Sequence, residues 1–342
     1  MMKKIVITAI ILTILGGSAV AYFAWQYIYK NNIAKDKPTE IFIHTGDNFA
    51  DLMEYLESKD IIINSQSFRY LATKMNLPNH VYPGRYIIKP GTNNKELVTK
   101  LRSGAQTPLM VTFTSVRTRE KLASVLSQQI ELDSATIAER LHNNNYAKTF
   151  GFNAENFPCM FIPNTYEMYW NISADGLFKR MHKEYQAFWT ANRKQKAEAL
   201  NLSPAEVCIL ASIVEKESAL AEEYPIIAGV YHNRLERGIP LQADPTVVFA
   251  VGDFTIKRIL NKHLEIESPY NTYKFRGLPP GPITIPSTTA IDGVLNKQEH
   301  KYLYFCAKDD FSGQHVFAKT LRQHNQNARL YRKALNRERI YK

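Results

Sequence analysis

Cysteine is scarce. Cys159, Cys208 and Cys306 are spread over a chain of 342 residues. No CxxC pair and no Cys/His spacing suited to zinc occurs, which argues against a disulfide framework, and neither a metal nor a cofactor is expected. Cys208 stands in an apolar run and reads as a small core residue. Nucleic-acid signatures are missing as well: there is no arginine-rich block, finger spacing or aromatic RNA-binding motif. Acid is in short supply, with 43 Lys and Arg against 32 Asp and Glu, a net charge of +11. That balance favours an anionic partner. With nucleic acid set aside, an anionic lipid or polymer remains, beside the plain alternative of a well-solvated basic surface. Apolar content is ordinary for a chain with a buried core, and the length suggests two or three domains.

The first segment has charge only at its edge. Lys3 and Lys4 precede an uncharged run from Ile5 to Tyr29, longer than the roughly 20 residues a membrane-crossing helix needs. Ala19-Val20-Ala21 has the small-x-small form of a signal-peptidase site. The apolar run continues past it through Tyr22, Phe23 and Trp25, which suit a membrane-interface belt. Residues 1–29 are therefore expected to be an uncleaved single-pass anchor, with Lys3 and Lys4 inside and the bulk of the chain exported. Residues 30–39 read as a short polar tether.

A weak repeat comes next. "TGDNFADLMEYLES" at Thr45 returns as "PGTNNKELVTKLRS" at Pro90, aligning Gly46 with Gly91, Asn48 with Asn93, Leu52 with Leu97 and Leu56 with Leu101. Each copy reads as strand, glycine turn and helix, and "VTFTSVRTREKLASVLSQ" at Val111 is a looser third version without the glycine. Two clear copies are too few for a solenoid, so residues 40–106 are expected to form a small α+β module and 107–342 a larger mixed α+β domain. In the latter, Ser134 can cap a helix through Leu141. "FPCMFIPNTYEMYW" is an aromatic loop that its prolines keep irregular. A helix from about Ala174 to Asn192 precedes "VCILASIVEKESALAEEYP".

Ser203-Pro204-Ala205-Glu206 is a helix start, with Ser203 as N-cap, proline in the first turn and Glu206 completing a capping box. The helix is expected to run to about Glu223. On a helical wheel, Leu210, Ile213, Val214, Leu220 and Ala221 fall within about 60° of Glu217, while Glu215 lies about 160° away. Glu217 thus centres the most apolar face. A buried carboxyl keeps its proton to higher pH, which suits a general acid. The alternative is a structural ion pair with Arg234 of the following helix.

Three polar clusters come after it. "IIAGVYHNRLERG" reads as a helix stopped by Gly238, with Val230, Tyr231 and Leu235 as its stripe, Arg234 close to it and Asn233 flanking. In "PLQADPTVVFAVG", Asp244 is expected as an N-cap before Pro245, or as a second catalytic carboxylate. "SPYNTYKFRGLPPGPITIPS" sets Tyr270, Asn271, Thr272 and Tyr273 before a rigid Gly/Pro loop. Aromatic faces, amides and hydroxyls of this kind suit a carbohydrate groove. Candidate binding residues are Asn233, Arg234, Gln242, Asp244, Tyr270, Asn271, Thr272 and Tyr273. "KYLYFCAK" and "HVFAKT" form an expected hairpin turning at Ser312-Gly313, and the C-terminal basic segment reads as a solvated helix.

The ordered motifs "ASIVEKES", "NRLERGIPLQADPTVVFAVG", "SPYNTYKFRGLPPGPI" and "YLYFCAK…GQHVFAKTLRQHN" together resemble the MltG/YceG-like endolytic murein transglycosylases. The resemblance covers essentially the whole chain. It implies a bacterial plasma-membrane anchor, a LysM-like module at 40–106 and an extracytoplasmic catalytic domain at 107–342. It also implies peptidoglycan glycan strands as substrate, wall-synthesis enzymes as partners, and cleavage of the MurNAc–GlcNAc bond to leave 1,6-anhydro ends, terminating nascent strands. The family's catalytic glutamate falls on Glu217, which precedes Ser218 as in other lytic transglycosylases, with Glu215 as the fallback. Asn164 stands where the family more often has Asp, which puts any role of that position in doubt. Two rivals stay open: a non-catalytic peptidoglycan-binding scaffold, and a muramidase using Asp244 as its second carboxylate.

Overall fold

The computed structural model describes residues 2–256 and 258–338. It is a mixed α and β chain that divides into two compact units, one of residues 1–111, 129–131 and 167–172, the other of residues 112–128, 132–166 and 173–342.

The first unit opens with helix α1 (Met2–Tyr29), long and apolar enough to cross a membrane and with no buried residue. Strand β1 (Thr39–Ile43) leads to α2 (Phe49–Ser58) and α3 (Ser65–Lys74). Strand β2 (Gly84–Ile88) then leads to α4 (Asn94–Arg102). The repeat is real in three dimensions. β1 and β2 pair antiparallel, Thr39 opposite Ile88 and Ile43 opposite Gly84. Gly46 and Gly91 turn at φ of 100° and 80°, left-handed conformations that glycine adopts without steric cost. Asn48 and Asn93 are N-caps with complete capping boxes through Asp51 and Glu96. Each cap contributes about 1 kcal/mol. Leu52, Leu56, Leu97 and Leu101 are all buried in one core with Ile41, Tyr86 and Phe68 of α3, the helix between the copies.

Residues 30–39 differ from the expected tether. Asn31 and Ile33 form single bridges to Asn93 and Ile62. Ile33 and Asn32 are buried. Asn32 donates to Asn94 Oδ1 (2.7 Å) and the Asn64 carbonyl (3.0 Å), and accepts from the Asn64 amide (2.7 Å). Asn94 in turn donates to the Tyr27 carbonyl near the end of α1 at 2.8 Å. Tyr27 meets Tyr70 edge-on, and Lys95 lies over the Tyr29 ring. Polar composition suggested solvent exposure, but a polar side chain with every bonding group satisfied is at home inside.

In chain order the remaining elements are β3 (Leu109–Phe113), α5 (Arg119–Ser127), α6 (Ser134–His142), α7 (Asn144–Lys148), β4 (Asn164–Met168), α8 (Ala174–Phe188), α9 (Ala191–Ala199), α10 (Pro204–Glu217), α11 (Tyr224–Glu236), α12 (Asp244–Val251), α13 (Asn261–Leu264), α14 (Thr288–Leu295), β5 (Tyr304–Ala307), β6 (His315–Ala318) and α15 (Leu321–Arg337). β3 pairs with β4, and β5 with β6. The hairpin β5–β6 is antiparallel, with Gly313 in its turn at φ 81°. Several boundaries shift from expectation. Asp133, not Ser134, caps α6. The helix expected to reach Asn192 ends at Phe188, and α9 starts behind its own cap, Thr190. The aromatic loop buries Phe157 and Phe161 in the core. Residues 339–342 of the expected terminal helix lie outside the described residues.

The second unit is built around α10. Val207 to Val214 are buried on every side, among α11, α14 and the tail of α9. A helix apolar all round belongs in a core, and each such Leu, Ile or Val stabilises the fold by about 1.5–3 kcal/mol. Gly229 of α11 admits a close neighbour: a Cβ there would sit 2.6 Å from the Gln298 carbonyl oxygen.

Candidate active site

α10 starts as expected, with Ser203 and Glu206 forming its capping box behind Pro204. It stops at Glu217, six residues earlier than expected. Ser218 is extended (φ −133°, ψ 143°). Its hydroxyl accepts from the Leu220 amide at 3.0 Å and donates to Glu223 at 2.8 Å. Glu223 also takes the backbone N–H of His315 on β6 and pairs with its ring, both at 2.7 Å. Leu220 and Ala221 therefore lie beyond the helix and do not extend its apolar face.

The last turn fans three charged side chains in three directions. Glu215 accepts from the backbone N–H of Ser287, the N-cap of α14, at 3.0 Å. Lys216 turns into a separate cavity, lined also by Arg117. Glu217 accepts a 2.6 Å hydrogen bond from the Tyr231 hydroxyl of α11.

Glu217 lines a cavity of about 380 Å³, whose wall includes Tyr231 and Arg234 of α11, Asp244 at the start of α12, Tyr273, Tyr304 and Phe305 of β5, and His324 of α15. Burial pushes the Glu217 carboxyl up to about 7. The Tyr231 bond opposes that rise, the nearby Asp244 charge adds to it, and Arg234 pulls modestly the other way. Arg234 is not an ion-pair partner. Its guanidinium bonds the carbonyls of Leu303 (2.7 Å), Leu241 (2.9 Å) and Pro240 (3.1 Å), and lies over the Tyr304 ring. Among the described residues Glu217 forms no salt bridge. His324 stacks on Tyr304, and burial, with Arg234 adding, holds its imidazole below the usual range.

Of the residues singled out in the sequence, Glu217, Arg234, Gln242, Asp244 and Tyr273 share this cavity. Asp244 is not the N-cap. Ala243 holds that place, and Asp244, one position on, accepts from the Tyr273 hydroxyl at 2.5 Å. Asn233 faces protein, donating to the carbonyls of His300 and Tyr302. Asn271 and Thr272 are fully enclosed: Asn271 holds the Leu264 and Ile266 carbonyls, and Thr272 accepts from the Ala243 amide. They build the wall from behind, leaving Tyr273 to face the cavity. Tyr270 bonds Glu155 and lines a different hollow. Asn164 is exposed at the start of β4 and accepts from the Thr165 amide. Among the described residues, no group of three or more His, Cys, Asp or Glu side chains is arranged to hold a metal ion.

Six wall residues escaped the sequence reading as site residues: Tyr231, Leu241, Tyr304, Phe305, Leu321 and His324. Tyr231 was read only as part of an apolar stripe. Leu321 and His324, three apart, share one face of a helix read as solvated. That spacing was the available signal.

A carboxyl raised to about 7 by burial, held by a neutral hydroxyl in an open, aromatic-walled groove, is equipped to give and take a proton on a polar ligand. The chain matches a known group in sequence and in fold. A family model described as the YceG-like family matches residues 41–330, and the chain belongs to that family. The chain is 28% identical to a Bacillus subtilis protein named endolytic murein transglycosylase, with 87% of each covered. It is 26% identical to a Streptococcus pneumoniae protein of the same name, spanning 91% of this chain and 62% of that one. It is also similar to the crystal structure of a yceG-like protein from Listeria monocytogenes, with a TM-score of 0.56 and 26% identity over 85% of this chain and 99% of the other.

Proposed function

We propose that the chain is an endolytic peptidoglycan lytic transglycosylase. The observation that carries the reading is the Glu217 carboxyl, which burial lifts to about 7 and which has a neutral partner, Tyr231. In this reading Glu217 donates its proton to the glycosidic oxygen as the bond to the muramoyl C1 breaks. Positive charge develops at C1 and the ring oxygen. The Glu217 carboxylate then takes the proton of the same sugar's C6 hydroxyl as O6 bonds to C1. The products are a free GlcNAc hydroxyl and a 1,6-anhydro-MurNAc end, with no water consumed. Because the nucleophile is part of the substrate, proximity supplies much of the rate.

The wider reading draws on the family resemblance of the sequence motifs and on the length and apolarity of α1. α1 anchors the chain in a bacterial plasma membrane. Residues 40–106 form a LysM-like module, and residues 107–342 form the catalytic domain on the extracytoplasmic side. Cleavage near synthases ends nascent strands. A muramidase reading has one observation in its favour: Asp244 borders the same cavity as Glu217.

Digestion of purified glycan strands by the wild type and Glu217→Gln, with products read by mass, separates these readings. Anhydro ends that disappear in the variant are expected. Reducing ends would indicate hydrolysis, and no cleavage by the wild type would leave only a binding role. An active Glu217→Gln beside an inactive Glu215→Gln would move the acid to Glu215.

A further inference from the structure

The wall of the Glu217 cavity continues at Asp244, which also lines a second cavity of about 460 Å³. This hollow lies within the second unit. Its lining includes Arg117, Lys216 and Arg258, with Phe249, Phe254 and several isoleucines. Arg117 and Lys216 thus share the hollow with one acid, Asp244, which already accepts the Tyr273 hydroxyl. Arg117 lies over the Phe254 ring, 4.7 Å from its centre. Neither Arg117 nor Lys216 makes an ion pair among the described residues. Burial holds Lys216 below the usual lysine range, against the pull of Glu215, and Arg117 lowers it further. Like charges gathered in a partly dry hollow repel one another, and a bound anion relieves them. Guanidinium and ammonium groups together suit carboxylates, with the aromatic and isoleucine surfaces taking small apolar side chains.

We propose that this second cavity is a subsite for the carboxylates of the peptide that muramic acid carries in peptidoglycan. The inference rests on the proposed function. In that polymer the peptide hangs from the lactyl ether of the same sugar whose C1 is cleaved, so a peptide-bearing strand placed at Glu217 brings the peptide alongside. Lys216 and Glu217, consecutive in the chain, then serve the two branches of one sugar residue: Glu217 the glycosidic bond, Lys216 the peptide.

The test compares peptide-bearing strands with the same strands stripped by an amidase, reading kcat and KM for each. The wild type should prefer peptide-bearing strands. In Arg117→Gln and Lys216→Gln the ratio of kcat/KM for the two substrates should fall about tenfold, the equivalent of one lost charge-assisted hydrogen bond, mainly through KM. Lys216→Arg should retain the ratio. If Arg117→Gln fails to fold, Lys216→Gln alone decides. A ratio unchanged from the wild type in Lys216→Gln, or a wild type indifferent to the peptide, overturns the subsite while leaving strand cleavage intact. A wild type that cleaves neither substrate overturns the function and the subsite with it.

Discussion

At Glu217, enclosure and one hydroxyl compete. Burial favours the neutral acid, and the Tyr231 bond favours the charged one. Tyr231→Phe removes only the second influence. The basic limb of the kcat/KM profile, set by the protonated acid, should then move to higher pH, with activity at pH 7 about tenfold lower from lost positioning. A limb that stays put would detach Tyr231 from the site. The same group makes a stability prediction. Its folded value, about 7, lies above the ordinary 4.5. Below about pH 4 both folded and unfolded chains hold the proton and nothing is lost. Between there and 7 the unfolded chain sheds it first, so stability falls as pH rises. Glu217→Gln should therefore stabilise by about 1–3 kcal/mol at pH 8 and hardly at all at pH 4, as read by urea unfolding. Residue-level reading separated Glu217 from Glu215 by angle alone. It gave Lys216 no role, because a lysine between two glutamates looks like solvated surface until the cavity beside it is seen.

At the level of elements, local signals were the legible ones. The Ser203 capping box and the Gly313 hairpin turn are written within a few residues of where they act, as are the asparagines of the repeat. The end of α10 is not. Ala219 to Glu222 suit a helix well enough, and what stops it is Glu223, held by His315, 92 positions away. Burial pushes the Glu223 carboxyl up, but the bonds from His315 and Ser218 outweigh it and hold the group below its usual range. Its contribution is therefore present above the unfolded value near 4.5 and lost as pH falls through the lower, folded value. Glu223→Gln should cost about 2–3 kcal/mol at pH 7 and less at pH 3, by chemical unfolding. An equal cost at both would mean that the charge is irrelevant. The cavity wall was hidden for a related reason. Tyr231 and His324, far apart in the chain, meet only when α11, β5 and α15 come together, and no local pattern encodes that meeting.

For the molecule as a whole, the link between α1 and the β1–α2 segment is the part least like its sequence. Removing residues 1–30 should leave the first unit intact. Removing 1–38 also takes away Asn32 and Ile33, leaving the Asn64 amide and Asn94 short of partners. Loss of one buried isoleucine and these bonds should destabilise that unit by about 3 kcal/mol, seen as a lower melting temperature and earlier proteolysis within 40–106. Equal stability of the two truncated chains would return the segment to a simple tether. A free ten-residue chain would let its cargo wander roughly 16–19 Å. Sewn down by Asn32 and gripped at Tyr27, this one has almost no slack. Tilting or rolling the apolar helix would carry the attached module with it, as a rudder turns with its post.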